Sequence, residues 1–220
     1  LGEPLTQVLR HVEEPLVLDI ATGTGRLPIA LLTQRSFRGE LVGIDHSRKM
    51  LGVAADKLAR WGAQVTLIWC DAKRLPFVDS TFDIVSCLEM IEFTPDPEAQ
   101  LVEAVRVLKP GALLVTTRRR GRDAFFMPGH THSRDAFDSL LREIGLTHVE
   151  IMAWQVDYDL VLAVKGGRWI GARAALWESI RCPACGEIAW DRKESALLCR
   201  ACRAAFPIER GIVEFAKRRR

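Results

Sequence analysis

The segment VLDIATGTGRLPIA, residues 17–30, decides the fold of this chain. It begins as an apolar run typical of a buried strand, turns through Gly23 and Gly25, and continues with apolar residues at helical spacing. Glycines at such a turn let the backbone approach a ligand closely at the point where a helix begins. The segment therefore predicts a strand, a ligand-binding turn and a helix, in that order.

Short apolar segments alternate with helical patterns after this opening unit. Four segments are rich in strand-forming residues and bounded by turn residues: ELVGIDH (40–46), VTLIWCD (65–71), FDIVSCLEM (82–90) and ALLVTTR (112–118). Helical patterns separate the first two pairs of strands and precede the last strand. This order predicts βαβ units and a parallel sheet.

The segment after the fifth strand predicts a helix and a hairpin. In SRDAFDSLLREIG, residues 133–145, Ser133 is placed to cap a helix and Gly145 to end it. Two strands follow, HVEIMAW (148–154) and YDLVLAVKG (158–166), close enough to pair as an antiparallel hairpin. We therefore predict an α/β fold with a seven-stranded, mostly parallel sheet that ends in an antiparallel hairpin.

Acidic residues occupy the ends of three of these strands. Asp19 lies within the first strand, Asp45 ends the second, and Asp71 ends the third. A carboxylate at Asp45, 20 residues after Gly25, can accept hydrogen bonds from both hydroxyls of a ribose. A dinucleotide fingerprint would place a third small residue where this chain has Pro28. The pattern predicts a nucleoside pocket with no evident cradle for phosphates.

These motifs, with DAKRLPFVDSTFDIVSCLEMIEF and LKPGALLVTT, resemble the class I S-adenosylmethionine-dependent methyltransferases of the ubiquinone/menaquinone type over residues 16–165. The resemblance implies a Rossmann-like fold, methyltransferase activity and S-adenosylmethionine as cofactor. The residues it assigns are Asp19, Thr22, Gly23 and Gly25 at the methionine end, Asp45 at the ribose, Asp71 with the Ala72 N–H at the adenine, and Leu88 and Glu89 near the methionine portion.

The chain departs from that family in ways that bear on the methyl acceptor. Phe93 stands where the family often has histidine, so no catalytic role is transferred to it. No Asn/Asp-Pro-Pro-Tyr signature lies near Leu88, which disfavours methylation of adenine N6 or of a glutamine amide. His130 and His132 follow the fifth strand on the expected acceptor side, although loop histidines without a role are commoner. The catalytic residues stay unassigned.

The six cysteines fall into two groups. Cys70 and Cys87 lie in strand-like runs, where a buried thiol behaves as a small hydrophobe. The other four have the spacing C-x2-C-x13-C-x2-C, which suits a tetrahedral zinc site: Cys182, Cys185, Cys199 and Cys202. Two disulfides are the alternative, and they would need an oxidising compartment. Four thiolate ligands leave no open position, so this zinc would be structural.

The cysteine-rich stretch carries a second resemblance. Residues 177–215, with Pro183, Gly186 and the segment FPIERGIVEF, resemble the zinc ribbon of the small activator subunit of tRNA, ribosomal RNA and release-factor methyltransferases. We predict a methyltransferase domain at 1–165, an apolar connecting segment at 166–180 and a zinc-ribbon domain at 181–220. The connecting segment carries Trp169, Ile170, Leu176, Trp177 and Ile180. So much apolar surface predicts packing on the chain's own first domain or on a second copy.

Charge divides the chain in a way that bears on its acceptor. The net charge is +3, but residues from Gly166 onward hold twelve Lys and Arg against six Asp and Glu. A solvated basic tail accounts for this excess, and a nucleic-acid or acidic partner is the alternative. The main hypothesis is a methyltransferase acting on RNA or a translation-related protein, with an activator built in cis. The alternatives are a small-molecule methyltransferase with a structural or dimerising zinc ribbon, and a non-catalytic binding module.

Targeting signals are not evident in the sequence. No apolar run approaches the roughly 18 residues that span a bilayer, so no membrane partner is expected. Leu1 stands in place of Met and no signal peptide is visible, which predicts a truncated or processed start and a cytoplasmic protein.

Overall fold

The computed structural model describes residues 12–121, 124, 127, 129–168 and 175–216. The helices and strands in chain order are β1 (Leu16–Ile20), α1 (Arg26–Leu32), β2 (Glu40–Asp45), α2 (Arg48–Leu58), β3 (Val65–Trp69), β4 (Phe82–Cys87), α3 (Pro97–Val107), β5 (Leu108–Arg119), α4 (Arg134–Glu143), β6 (Leu146–Ala153), β7 (Tyr158–Lys165), β8 (Trp190–Arg192), β9 (Ala196–Cys199), β10 (Ala205–Glu209) and β11 (Ile212–Glu214). Short 3₁₀ turns lie at Ala59–Gln64, Ile91–Phe93 and Leu176–Glu178.

One mixed sheet organises the described part of the chain. Its strand order is β6-β7-β5-β4-β1-β2-β3-β11-β10-β9-β8. The strands β5, β4, β1, β2 and β3 run parallel, and β7 is antiparallel to both β5 and β6. Every residue of β1 and β4 is buried, as expected for parallel strands covered on both faces. The predicted parallel sheet and terminal hairpin are thus present.

The strand count differs from the sequence prediction. Within the described residues the sheet has eleven strands rather than seven, because the C-terminal segment adds β11, β10, β9 and β8 beyond β3. Strand β11 pairs in parallel with β3, with Ile212 opposite Leu67 and Glu214 opposite Trp69. An uncovered β3 would expose a row of unpaired backbone groups, and β11 satisfies them.

The helix caps follow the sequence. The Ser133 hydroxyl accepts a hydrogen bond from the Ala136 N–H at 3.2 Å, and Gly145 follows the end of α4 with a φ of +94°. Ser47 caps α2 in the same way through the Met50 N–H. Both helices therefore begin at a residue whose side chain satisfies a free backbone donor.

The residues before the first cysteine pair pack on the sheet. Ile180 is fully buried and forms an antiparallel bridge with Phe77, and the Arg181 N–H donates to the Pro76 carbonyl at 2.8 Å. Leu176 is also buried in the main core, and Trp177 packs against it. Trp169 and Ile170 lie outside the described residues, and the domain division stays a prediction.

Three aromatic side chains of the C-terminal segment form a cluster. Trp190, Phe206 and Phe215 have ring centroids 5.1–5.8 Å apart, and the Trp190 indole N–H donates to the Ile180 carbonyl at 2.8 Å. Such contacts stabilise beyond the area they bury. No helix in the described ranges combines the length and apolarity needed to cross a membrane.

Candidate cofactor cleft and cysteine cluster

The turn after β1 is built on two glycines with different tasks. Gly23 has a φ of +56°, and its N–H donates to Asp45 Oδ2 at 2.8 Å. Gly25 has a φ of +79°, and a Cβ added there would lie 3.0 Å from Leu58 Cδ1. Gly23 therefore faces the open cleft, whereas Gly25 lets the start of α1 pack against α2.

Asp45 holds the turn to the end of β2. The side chain is buried, with Oδ2 accepting from Gly23 and Oδ1 accepting from the Ser47 N–H at 2.7 Å. These two hydrogen bonds from backbone N–H groups fix the position of the carboxylate between the glycine turn and the end of β2. Asp45, which was predicted to bind the ribose, thus holds the backbone of the site in place as well as lining it.

Asp19 is a buried carboxyl group at the base of the cleft. The Ser86 hydroxyl donates to its Oδ1 at 2.7 Å. Burial raises the pKa of Asp19 to about 6, and the hydrogen bond from Ser86 opposes that shift. Burial therefore favours the protonated form of Asp19 more than it is favoured in a solvent-exposed aspartate.

Two adjoining cavities lie at the carboxyl ends of these strands. The larger, of about 670 Å³, is lined by Ala21, Asp45, His46, Asp71, Ala72, Lys73, Leu88, Glu89, Met90, Phe93, Thr94, Pro95, Asp96, Ala99 and Gln100. The smaller, of about 400 Å³, is lined by Asp19, Ala21, Thr22, Gly23, Thr24, Arg26, Leu27, Ala30, Met50, Leu88, Glu89, Trp154 and Gln155. They share Ala21, Leu88 and Glu89. The structure thus brings the predicted residues other than Gly25 together around one cleft.

The loop after β3 is anchored by α3. Asp71 Oδ1 accepts from the Lys73 N–H at 2.9 Å, and the buried Gln100 side chain donates to the Ala72 carbonyl at 2.7 Å. The hydrogen bond from Gln100 holds Ala72, whose N–H is the predicted contact to the adenine. Gln100 was not predicted as a site residue, because nothing in a helical pattern shows which loop a polar residue reaches.

Glu89 occupies the junction of the two cavities. Its φ is +52°, its N–H donates to Thr117 Oγ1 at 2.7 Å, and the Gln155 side chain donates to its Oε1 at 3.0 Å. Gln155 and Trp154 belong to the turn between β6 and β7 and wall the smaller cavity. Neither residue was predicted from the sequence, and Arg26 was not predicted either, although it directly follows the glycine turn.

The four clustered cysteines lie beside the loop after β3. Their sulfur atoms all lie within 4.8 Å of one another, and the Cys182–Cys202 and Cys185–Cys199 pairs are each 3.7 Å apart. A tetrahedron with Zn–S bonds of about 2.3 Å has an edge of about 3.8 Å. A disulfide needs sulfur atoms about 2.05 Å apart. All six cysteines are free, and the distances suit a tetrathiolate metal site.

The two cysteine pairs have matching backbone turns. The Gly186 N–H donates to the Cys182 carbonyl and the Arg203 N–H to the Cys199 carbonyl, each at 2.8 Å. Gly186 and Arg203 both have positive φ, at +83° and +62°. Each turn therefore reverses the chain directly after its second cysteine, which brings the thiols of each pair to the same side.

Comparison with known proteins identifies the first part of the chain. Residues 17–111 match the model of the family described as "Methyltransferase domain". The curated ubiquinone/menaquinone biosynthesis C-methyltransferase UbiE of Desulfotalea psychrophila is 43% identical over 100 residues, which cover 45% of this chain and 39% of that protein. Over residues 17–111 the chain is therefore similar to methyltransferase domains. It spans less than half the length of the curated relatives it matches.

Solved structures share the fold of the methyltransferase domain. The CurJ carbon methyltransferase has a TM-score of 0.66 at 16% identity, covering 76% of this chain and 53% of that chain. A chain from the complex between the Haloferax volcanii Trm112 methyltransferase activator and a methyltransferase has a TM-score of 0.59 at 21% identity, covering 76% of this chain and 89% of that chain. At these identities the likeness concerns the fold alone.

Phe93, His130 and His132 differ in whether they lie at the cleft. Phe93 is 63% exposed and lines the larger cavity. His130 Nδ1 lies 3.0 Å from the carbonyl of Thr94, which lines the same cavity. The His132 ring instead packs 5.9 Å from that of Phe137. Of the two histidines, His130 is the one in contact with a residue of the cleft.

Proposed function

We propose that this chain transfers a methyl group from S-adenosylmethionine to a small, largely apolar molecule. The observation that carries the proposal is the pair of joined cavities, which sets three strand-end carboxyl groups around a cleft at the carboxyl edge of the sheet. In this assignment Asp45 holds the ribose, Asp71 and the Ala72 N–H hold the adenine, and Asp19, Thr22 and Gly23 line the amino-acid end. When bound, the cofactor supplies a methyl group on a sulfonium.

The part of the larger cavity that we assign to the methyl acceptor is lined mainly by apolar residues. Met90, Phe93, Pro95 and Ala99 line the larger cavity beyond the predicted cofactor residues. Methyl transfer is an in-line displacement, and alignment of the two reacting atoms accounts for as much as about 7–11 kcal/mol of the barrier. This chain's part is therefore to hold, orient and shield the acceptor, with no nucleophile of its own.

The relatives favour a small acceptor over RNA or a translation-related protein. The relative named above is a ubiquinone/menaquinone biosynthesis C-methyltransferase, and another, from Lactiplantibacillus plantarum, is a demethylmenaquinone methyltransferase. We extend to this chain only the class of small organic acceptor. Charge agrees, because residues 175–216 carry six Lys and Arg against six Asp and Glu. The basic excess lies at Arg168 and among residues outside the described ranges. Within residues 175–216 the two signs therefore balance, so this stretch presents no net positive charge to a nucleic acid.

We propose that the C-terminal segment is a zinc ribbon with a structural role. Cys182, Cys185, Cys199 and Cys202 would hold one Zn²⁺ in a closed shell, and the folded segment would keep the edge of β3 covered. The main sequence hypothesis, an activator built in cis, makes the further claim that this segment raises activity on RNA or a protein. That claim rests on the resemblance to activator subunits.

Label transfer decides between the acceptor classes. The full chain is incubated with methyl-labelled S-adenosylmethionine and a cell extract, which is then separated into organic-soluble metabolites, RNA and protein. We expect label in the organic-soluble fraction and loss of most of it with Asp45→Ala. Asp138→Ala, which removes a partly exposed carboxylate on α4, should leave the transfer unchanged. Label in RNA or protein alone would favour the macromolecular acceptor, and no transfer to any fraction would contradict the enzyme.

A further inference from the structure

A third cavity, of about 600 Å³, lies between the loop after β3 and the first cysteine pair. Residues between 70 and 76 form one wall, and residues 181–186, with Cys182 and Cys185, form the other. The first wall belongs to the matched stretch 17–111 and the second to the cysteine-rich segment. Two of the four clustered cysteines therefore border a cavity that both parts of the chain enclose.

Positive charge predominates on the lining of this cavity. Among its described lining residues the basic side chains are Lys73, Arg74 and Arg181, and the one acidic side chain is Asp71. All three basic residues are exposed, and within the described part of the chain no carboxylate forms an ion pair with them. The cavity therefore carries positive charge that the described carboxylates do not neutralise.

The backbone that carries Lys73 and Arg74 is anchored on both sides. The Lys73 N–H donates to Asp71 Oδ1 at 2.9 Å. The Arg106 guanidinium of α3 donates to the Leu75 carbonyl at 3.1 Å. Neither contact involves the cysteine-rich segment, so the matched stretch 17–111 holds this wall of the cavity by itself.

Arg181 reaches the cavity from the opposite wall. Its N–H donates to the Pro76 carbonyl at 2.8 Å, and its guanidinium donates to the Gly186 carbonyl at 3.4 Å. The Gly186 N–H in turn donates to the Cys182 carbonyl, which closes the turn around the first cysteine pair. The guanidinium of Arg181 therefore lies across the turn that carries Cys182 and Cys185.

A tetrathiolate zinc site at the cysteine cluster would be negatively charged. Four thiolates around one Zn²⁺ carry a net charge of −2, and nearby cations stabilise such a group where solvent is partly excluded. We propose that Lys73, Arg74 and Arg181 supply this counter-charge, so that the loop after β3 helps the cysteine-rich segment to retain its metal. This inference rests on the proposed zinc site and assigns a role to three residues that no sequence motif singled out.

The rate of zinc release from the full chain tests this role without a measurement of activity. The zinc content is first determined by elemental analysis, and the metal is then transferred to an excess of a chromogenic pyridylazo chelator. The variants are Arg74→Ala, Arg181→Ala and the two combined, with Arg74→Lys and Arg181→Lys to keep the positive charge. Lys73 is left unchanged because it also lines the larger cavity.

The matched control is Arg200→Ala, which removes one positive charge within the cysteine-rich segment. Arg200 directly follows Cys199 but is not among the lining residues of this cavity. Its side chain is 63% exposed, and its guanidinium lies 3.7 Å from the Asp191 carboxylate.

We expect zinc release to be about 3-fold to 10-fold faster in each alanine variant and about 10-fold to 100-fold faster in the double variant. The lysine variants and Arg200→Ala should stay within about 2-fold of the wild type. Raising KCl from about 0.05 M to about 0.5 M should speed release from the wild type and change the double variant little, because salt screens exposed charges.

Three results would overturn the role of the two arginines. They are wild-type release from the double variant, lysine variants that release zinc as fast as the alanine variants, and an equal effect of Arg200→Ala. A wild-type chain purified without zinc would instead overturn the proposed metal site. The label-transfer experiment tests the proposed methyltransferase separately, so failure of either proposal can be told from failure of this inference.

Discussion

The cofactor cleft and the cysteine cluster lie on either side of the loop after β3, yet different forces hold them. The cleft is formed at the ends of β1, β2 and β4, whose residues are almost wholly buried. In the cysteine-rich region, partly buried and buried residues alternate along β9, which ends at Cys199, and exposed and partly buried residues alternate along β10. We therefore expect the cysteine-rich region, which has little core of its own, to depend on a bound metal for its fold, whereas the cleft rests on the apolar sheet.

Removal of the metal should have the largest effect and tests this contrast directly. We expect one zinc per wild-type chain and none in Cys199→Ser, because structural zinc contributes about 10–16 kcal/mol of apparent binding free energy. Residues from 181 onward should then become sensitive to protease while the methyltransferase domain persists. Elemental analysis and limited proteolysis measure the two effects.

Cys70→Ala is the matched control for the metal experiment. Cys70 is a buried thiol outside the cluster, so this variant should keep its zinc. Protein purified under reducing conditions with no metal, or with two disulfides, would contradict the assignment of the cluster.

The aromatic cluster tests whether the two regions unfold separately. Phe215 is 9% exposed and its N–H donates to the Trp69 carbonyl at 3.0 Å, so its ring lies where β11 joins β3. Phe215→Ala should cost about 3–5 kcal/mol. Urea unfolding followed by tryptophan fluorescence measures the loss, and the exposed Phe93→Ala should change stability little. If S-adenosylhomocysteine binding is lost in the same transition, the two regions form one cooperative unit.

The sequence predicted those parts of the fold that depend on local pattern. The apolar runs that became β1, β2 and β4, the cap at Ser133 and the break at Gly145 follow from neighbours within a few residues. The placement of β11 beside β3 depends on which distant edge a short apolar run reaches. Periodicity in IVE carries no information on that choice, so the eleven-stranded sheet was not predicted.

The same limit applies to the site. Asp19, Asp45 and Asp71 were found because parallel strands place their carboxyl ends at one edge. Arg26, Gln100, Trp154 and Gln155 were missed because their roles depend on how helices and a hairpin turn approach the cleft. Residues positioned by strand order can be predicted from the sequence, whereas residues positioned by tertiary packing required the structure.

The pH dependence of the free energy of unfolding tests the contribution of Asp19, a buried carboxyl group of the cleft. Its pKa in the folded chain, about 6, exceeds the unfolded value near 3.9, so folding favours the protonated form. The stability from this group is fully present below about pH 4 and is lost as the pH rises through 6. Above that pH Asp19→Asn should be more stable than the wild type by about 2–3 kcal/mol, and it should bind S-adenosylhomocysteine more weakly.

Denaturant unfolding at several pH values measures this difference. The advantage of Asp19→Asn should shrink as the pH falls from 7 to 4, because the wild-type carboxyl group then takes up its proton. A difference in stability that does not vary over this range would show that burial of Asp19 does not set the pH dependence.

The smallest expected effect concerns the surface contacts between α2 and the C-terminal hairpin. Arg210 pairs with Asp56, and both side chains are more than half exposed. Arg48 pairs at 2.7 Å with Glu214, whose side chain is 6% exposed. Exposed pairs contribute about 0–1 kcal/mol and are screened by salt, whereas a charged contact to a buried carboxylate contributes more. Arg210→Ala should therefore cost at most about 0.5 kcal/mol, and Arg48→Ala about 1–3 kcal/mol.

Unfolding measured at low and high salt separates the two pairs. The cost of Arg210→Ala should vanish at high salt, while most of the cost of Arg48→Ala should remain because Glu214 is shielded from solvent. A loss above about 1 kcal/mol for Arg210→Ala, removed by salt, would mean that surface charge rather than strand pairing keeps the hairpin on α2. Ion pairs between α2 and the C-terminal hairpin would then stabilise the protein in addition to the apolar sheet and the proposed metal.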